Sequence, residues 1–329
     1  MEEKLQYWKN LSLGNLCLSF LNGAIGNFLK ETKNELAIEM GFYLNNKLIP
    51  LSKKNILKLT PEPTSKICVL LHGLVCNEEL WNFPTEPNVT YNENYGTLLQ
   101  KDYGYTPLFV RYNTGLHVSE NGRTFSELMH NLESVYPKCI EEIVIIGHSM
   151  GGMVAKSGFH YAELTNCFWQ KKVSNVFYLG SPHMGSYVEK TANITSSILS
   201  GIKNPITKII SDIINIRSDG IKDMRFGNLI DEDWMGYDSN AFMENNRNYV
   251  TLLKNAKHYM FIGTVSNDPE HIANKVFGDF TVRMNSASQG YHKSLKDHVK
   301  IFPGIKHLAL SHNPEVYNEI KKILNRRTK

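Results

Sequence analysis

The chain has 329 residues, 42% hydrophobic and 21% charged, which indicates a globular protein with a sizeable core and excludes a disordered chain. The formal net charge is +4, and the basic residues are dispersed, which argues against nucleic acid as the main partner. The five cysteines form no C-x-x-C pair, so the sequence predicts neither a disulfide framework nor a zinc site and favours a cytoplasmic location.

The N-terminal segment, residues 1–34, contains an uncharged run at 11–29. Asparagines interrupt this run, two glutamates precede it, and no cleavage site is evident, which argues against a signal peptide. Apolar residues at helical spacing predict an amphipathic helix docked on the body, with one face formed by Leu13, Leu16, Phe20, Leu21, Ala24, Ile25 and Phe28. Peripheral contact of this helix with a membrane surface is the alternative interpretation.

Short apolar runs then alternate with helical patterns. Residues 35–44 and 48–51 predict a hairpin, since the residues between them are turn-prone. Buried parallel strands are predicted at 67–71, 107–110, 143–146, 176–179 and 259–262, with a shorter last strand at 299–302. The alternation predicts an α/β fold whose central sheet is mostly parallel and has helices on both faces.

The segment 181–257 is too long for a simple crossover and predicts a helical cap inserted after the sixth strand. Residues 35–180 and 258–329 would form the catalytic domain. An isoleucine-rich stripe in the cap either packs on the body or faces the active site, where it could hold an acyl chain. The acidic run Asp231-Glu232-Asp233 is interpreted as a solvated loop rather than a calcium site, so no metal and no cofactor are predicted.

A nucleophile is predicted at Ser149. The apolar run at 143–146 leads directly into Gly147-His148-Ser149-Met150-Gly151-Gly152, and a helical pattern follows. G-x-S-x-G alone is a weak signal, but between a strand and a helix it is typical of a nucleophile elbow, whose strained turn needs small residues beside the serine. The N-terminus of the following helix favours developing negative charge. A structural turn without chemistry is the alternative.

Two backbone amides are expected to bind the oxyanion of an acyl-transfer reaction, each contributing on the order of 3 kcal/mol. One belongs to Met150, which follows the nucleophile, and the other to the loop after the third strand. Leu74 is predicted there, with Val75 as the alternative. His72 precedes the serine in the chain and is interpreted as a structural residue. Cys76 is interpreted as a small apolar filler rather than a reactive thiol.

The general base and its acid partner are expected to follow Ser149 in the chain. His307, in the loop after the last predicted strand, is the predicted base, and His312, at the entry to the terminal helix, is the alternative. The acid is expected after the strand at 259–262. Asp279, in a tight turn, is predicted, and Asp268, in an Asn-Asp-Pro turn, is the alternative.

Several segments, which together span most of the chain, carry a family resemblance. They are Leu71-His72-Gly73-Leu74, the stretch 111–117 with 121–123, Gly147-His148-Ser149-Met150-Gly151-Gly152, Leu179-Gly180-Ser181-Pro182-His183, Gly278-Asp279 and His307. The chain resembles the lipase-like α/β-hydrolases related to GPI inositol-deacylases and, more distantly, bacterial true lipases. The resemblance implies an α/β-hydrolase fold, the triad Ser149, Asp279 and His307, and a structural or cap-positioning role for His183. Relatives usually have glycine after the acid, where this chain has Phe280.

The sequence therefore predicts a serine esterase or lipase that acts on a small-molecule or lipid ester, with the apolar cap favouring a lipid-like or medium-chain acyl group. An acyltransferase or thioesterase would use the same triad, and a non-catalytic lipid-binding homologue would share the fold. Product analysis with alcohol acceptors separates the first alternative from a hydrolase, and absence of labelling by a fluorophosphonate would favour the second.

Overall fold

A six-stranded parallel sheet lies at the centre of the protein in the computed structural model, which describes residues 13–84, 93–183, 218–236, 247–264 and 298–325. The strands in these ranges are β1 (Tyr43–Leu44), β2 (Lys47–Leu48), β3 (Lys66–Leu71), β4 (Thr106–Val110), β5 (Glu142–His148), β6 (Val173–Leu179), β7 (Lys257–Gly263) and β8 (Val299–Phe302). The helices are α1 (Leu13–Glu31), α2 (Lys53–Leu59), α3 (Tyr95–Tyr103), α4 (Val118–Val135), α5 (Met150–Leu164), α6 (Asp219–Phe226) and α7 (Pro314–Asn325).

The sheet has the order β4-β3-β5-β6-β7-β8, and every neighbouring pair is parallel. Successive side chains of a strand point to opposite faces. Val69 and Ile145 accordingly share one core with residues of α4 and α5, whereas Leu70 and Val144 share the other with residues of α3 and α7. Both faces of the sheet are therefore covered, which explains the continuous apolar runs and confirms the predicted fold class.

Helix α1 docks on the body as predicted, and Phe20 and Ala24 of the predicted apolar face are buried, but the buried face does not extend to Phe28. Phe28, expected to be buried, is 56% exposed, whereas Asn22 is fully buried. The side chain of Asn22 tolerates burial because it accepts a hydrogen bond from Ile38 N (2.8 Å) and donates one to Leu36 O (2.8 Å). The predicted apolar face is therefore correct in part: Asn22 joins the buried face through its hydrogen bonds, and Phe28 lies outside it.

The predicted hairpin is present but shorter than expected. Only β1 and β2 pair, with Tyr43 opposite Leu48 and Leu44 opposite Lys47. Asn45 and Asn46 form the turn with φ of 50° and 62°, the conformation that lets a two-residue turn match the twist of antiparallel strands. The extension to residue 35 is wrong because Leu36 and Ile38 bond to α1, and Gly41 bonds to Arg111 after β4, instead of forming a ladder.

Part of the predicted cap is described, including α6, whereas the isoleucine-rich stripe lies outside the described residues. The solvated-loop interpretation of the run at 231–233 is wrong. Asp233 is buried and accepts hydrogen bonds from the backbone amides of Leu229, Ile230 and Asn248, and Asp231 pairs with Arg123. The carboxylates of Asp231 and Asp233 therefore stabilise the folded backbone around them. No helix in the described segments is both long and apolar enough to cross a bilayer.

Candidate active site

Ser149 occupies a strained turn between β5 and α5. Its φ of 52° and ψ of −122° lie where a residue with a side chain is disfavoured, at a cost on the order of 1–3 kcal/mol. The Ser149 amide donates to Leu179 O at 2.8 Å, and its carbonyl accepts from Gly152 N at 3.1 Å. The neighbouring strand β6 and the first turn of α5 thus hold the elbow in place.

The glycines beside Ser149 are required by close backbone packing. A Cβ on Gly147 would lie 2.5 Å from Gly152 N, and a Cβ on Gly151 would lie 2.3 Å from Leu71 O. Both distances are shorter than real contacts, so a side chain at either position would push α5 away from the sheet. The sequence argument for small residues at these positions matches this geometry.

The Ser149 hydroxyl is buried. The residue is 2% exposed, and its Oγ makes no hydrogen bond in the structure described. The hydroxyls of Thr60 and Ser126 are also buried without a partner within the described segments, so it is the combination of a buried hydroxyl with a strained backbone that distinguishes Ser149.

His307 lies beside the elbow in the loop after β8. A Cβ on Gly180 would lie 2.8 Å from His307 Nδ1, so the imidazole packs directly on the backbone that follows β6. His307 Nε2 is buried and makes no hydrogen bond among the described residues. Burial and, to a smaller extent, the nearby His148 lower the pKa of His307 to about 3. The ring is therefore neutral near pH 7, as a general base must be.

His148, the variable position within the elbow motif, contacts the predicted base. Its Nε2 donates to His307 O at 3.0 Å, and the two ring centroids are 4.8 Å apart. Burial lowers the pKa of His148 to about 4, so the ring is neutral and its single proton lies on Nε2. A Cβ on Gly73 would lie 2.9 Å from His148 Nδ1. His148 thus lies between the loop that carries His307 and the oxyanion loop. The sequence did not predict these contacts, because the G-x-S-x-G motif accepts any residue at this position.

His312 makes different contacts from those of His307. His312, the alternative base, has its Nδ1 2.9 Å from Ser311 Oγ and 3.1 Å from Leu80 O, so its ring links the terminal segment to the segment containing residue 80. Asp279 and Asp268 lie outside the described residues, and their roles stay predictions.

The loop after β3 carries the second predicted oxyanion donor. The amide of Val75, the alternative donor, already donates a hydrogen bond to Thr114 Oγ1 at 3.1 Å. Leu74 is therefore the better candidate for the oxyanion donor. The amide of Met150 is at the first position of α5, where backbone N–H groups have no partner within the helix. Burial raises the pKa of the Cys76 thiol to about 12, which fits a filler rather than a reactive group.

His72 is a structural residue, as expected. Its Nδ1 lies 2.9 Å from Gly73 O, and its Nε2 accepts from Tyr112 N at 3.3 Å. The imidazole also stacks on the Tyr112 ring with 4.4 Å between centroids. Both nitrogens are therefore used to join the oxyanion loop to the end of β4.

The parallel sheet, the strained serine between a strand and a helix, and the buried histidine beside it define an α/β-hydrolase. The family described as the PGAP1-like alpha/beta domain matches residues 77–263, more than half of the chain, and the protein belongs to this family. The match confirms the resemblance seen in the sequence. No curated protein matches the chain in a sequence comparison.

Solved structures with a similar course of the chain include a Bacillus licheniformis lipase, which is 17% identical and has a TM-score of 0.42, over 80% of this chain and 93% of that chain. A Pyrococcus furiosus esterase is 14% identical, with a TM-score of 0.43, and the match covers 80% of this chain and 82% of that chain. A Thermogutta terrifontis esterase is 13% identical, with a TM-score of 0.41, and the match covers 80% of this chain and 91% of that chain.

Proposed function

We propose that this protein is a serine esterase or lipase that hydrolyses carboxylic esters through an acyl-enzyme on Ser149. The observation that carries the proposal is the strained elbow that bears Ser149 between a strand and a helix, with His307 packed beside the strand end that accepts the Ser149 amide. Strain at a single serine and an unsatisfied buried hydroxyl both cost free energy, and such costs concentrate at functional sites.

In this reaction Ser149 Oγ attacks the ester carbonyl carbon while its proton passes to His307 Nε2. The carbonyl oxygen becomes an oxyanion that accepts hydrogen bonds from the amides of Leu74 and Met150. The intermediate collapses to an acyl-enzyme as the imidazolium returns the proton to the leaving alcohol. A water molecule then attacks the acyl-enzyme carbonyl while its proton passes to His307. The second intermediate collapses, the carboxylic acid leaves, and the proton returns to Ser149 Oγ.

The environment of His307 indicates that the reaction needs a carboxylate partner. Burial lowers the pKa of this histidine, so the imidazolium formed during the reaction is unfavourable unless a negative charge compensates for it. A carboxylate on the opposite nitrogen supplies this compensation and fixes the tautomer. We assign this role to Asp279, with Asp268 as the competing residue.

The described residues near the site favour an apolar acyl group over a charged one. Cys76 and Leu80 form a small apolar cluster against which Leu308 packs. Cys76 follows the oxyanion loop and Leu308 follows His307, so this cluster connects the two loops on which the reacting carbonyl would lie. A lipid-like or medium-chain ester is the substrate class that fits.

The test is hydrolysis of p-nitrophenyl acetate, octanoate and palmitate by the parent protein, Ser149→Ala and Ser157→Ala. Ser157 is a matched control because it is buried on the same helix and its hydroxyl bonds only to Leu229 O in the structure described. We expect the octanoate to be preferred, Ser149→Ala to lose about 10⁶-fold in kcat, and Ser157→Ala to remain active.

Equal hydrolysis by Ser149→Ala would contradict the assignment of the nucleophile. Absence of turnover with all three esters in a folded parent protein would favour a non-catalytic binding protein. Transfer of the acyl group to an added alcohol at the expense of hydrolysis would identify an acyltransferase.

A further inference from the structure

Helix α1 lies outside the residues matched by the family, yet it touches the oxyanion loop directly. A Cβ on Gly23 would lie 2.3 Å from Val75 Cγ1 and 3.2 Å from Val75 Cα. Val75 adjoins Leu74 and has a φ of 56°, a conformation that a β-branched residue adopts only when its surroundings enforce it. The helix backbone is one of the surfaces that enforce it.

A second set of contacts links α1 to the same loop through residues 113–115. Asn113 Nδ2 donates to Gly26 O at 2.9 Å, and a Cβ on Gly26 would overlap the Asn113 side chain. Thr114, the next residue, accepts the amide of Val75. The segment 113–115 is therefore held between α1 on one side and the oxyanion loop on the other.

The opposite oxyanion donor also borders an element that α1 holds. Ser218 Oγ donates to Gly23 O at 2.7 Å, and Asn27 Nδ2 donates to Asp219 Oδ2 at 2.9 Å, which fixes the start of α6 on α1. Gly220, in the first turn of α6, would place a Cβ 3.0 Å from Met150 Cε. The Met150 side chain is thus packed against an element that α1 holds in place.

We infer that α1 is a positioning element of the active site, and that the absence of a side chain at Gly23 allows the oxyanion loop to adopt the position from which Leu74 donates. This inference rests on the proposed function. Shifts below 1 Å in such donors weaken transition-state stabilisation, because hydrogen bonds to the developing charge depend steeply on geometry.

Gly23→Ala and Gly14→Ala form a matched pair on the same helix. A methyl group at Gly14 meets nothing within 4 Å, whereas one at Gly23 must displace Val75. We expect Gly14→Ala to retain the parent kcat and KM with p-nitrophenyl octanoate. We expect Gly23→Ala to lose about 10–100-fold in kcat, with KM changed less than about threefold, because only transition-state contacts are lost.

Thermal unfolding of both variants shows whether Gly23→Ala still folds. If it does not, Thr114→Val and Thr114→Ser test the connection between α1 and the loop. The valine removes the acceptor of the Val75 amide and should lower kcat by about tenfold, while the serine retains it and should restore kcat. If Gly23→Ala folds and its kcat is unchanged, the inference is overturned. If Gly23→Ala does not fold, an unchanged kcat in Thr114→Val overturns the inference. Either result leaves the proposed function intact. An inactive parent protein would instead overturn the proposed function.

Discussion

The two sides of the candidate site are held in place by different means. On the nucleophile side, Ser149 is fixed by backbone contacts with the parallel strands β3 and β6 and by glycines in its own motif. On the oxyanion side, the loop at 73–76 depends on Thr114 and Gly23, which lie far away in the sequence. The nucleophile side therefore depends on the central sheet, whereas the oxyanion side depends on a helix and a loop outside the sheet.

The largest effect expected on the nucleophile side, apart from loss of Ser149, is that of the base. His307→Ala should lower kcat by about 10³–10⁵-fold, because Ser149 then has no acceptor for its proton. His312→Ala should stay within about tenfold of the parent and lose about 1–2 kcal/mol of stability, since its bond to Leu80 O is structural. Steady-state kinetics and urea unfolding of both variants separate the two histidines. The reverse ranking of kcat would transfer the role of base to His312.

The acid is expected to have the next largest effect. Asp279→Asn should lower kcat by about 10³–10⁴-fold, because the imidazolium loses its compensating charge and the tautomer is no longer fixed. Asp268→Asn is the control and should change kcat by less than about threefold. A large loss in Asp268→Asn with little change in Asp279→Asn would exchange the two assignments.

His148 tests whether the base itself needs support from the elbow. His148→Leu removes the donor to His307 O and should lower kcat by about 10–100-fold with little change in KM. His148→Gln retains an N–H group at a similar position and should recover most of the loss. Equal activity of the leucine variant and the parent would mean that the contact is structural only.

The sequence predicts the sheet, the elbow and the place of His307 because each depends on local patterns. Continuous apolar runs mark strands buried on both faces, and G-x-S-x-G after such a run marks the turn. The contribution of Gly23 could not be predicted, because it depends on a loop that approaches from another part of the chain. The same is true of Asn22, whose burial depends on acceptors and donors in the following loop.

The pH dependence of stability applies to both sides of the site. Burial lowers the pKa of His72 and His307 to about 3 and that of His148, His258 and His312 to about 4. Below their ordinary pKa of 6.5 the unfolded chain binds protons that the folded protein does not. Stability is therefore complete above about pH 6.5 and falls as the pH decreases towards 4.

Each such proton contributes up to about 1.4 kcal/mol per pH unit to this slope. Urea unfolding at pH 7 and pH 5 in constant salt measures how the free energy of unfolding changes with pH. His72→Gln should lower the number of protons taken up on unfolding by about one. A free energy of unfolding that does not change between these pH values would show that the histidines are accessible to protons in the folded protein.

The central claim is that Ser149 is an activated nucleophile, and covalent labelling tests it most directly. The folded parent protein is treated with a fluorophosphonate, digested and mapped by mass spectrometry, together with Ser149→Ala and Ser157→Ala. The account predicts one adduct on the peptide that contains Ser149, its loss in Ser149→Ala and its retention in Ser157→Ala. An unlabelled parent protein, or an adduct that persists in Ser149→Ala, would contradict it.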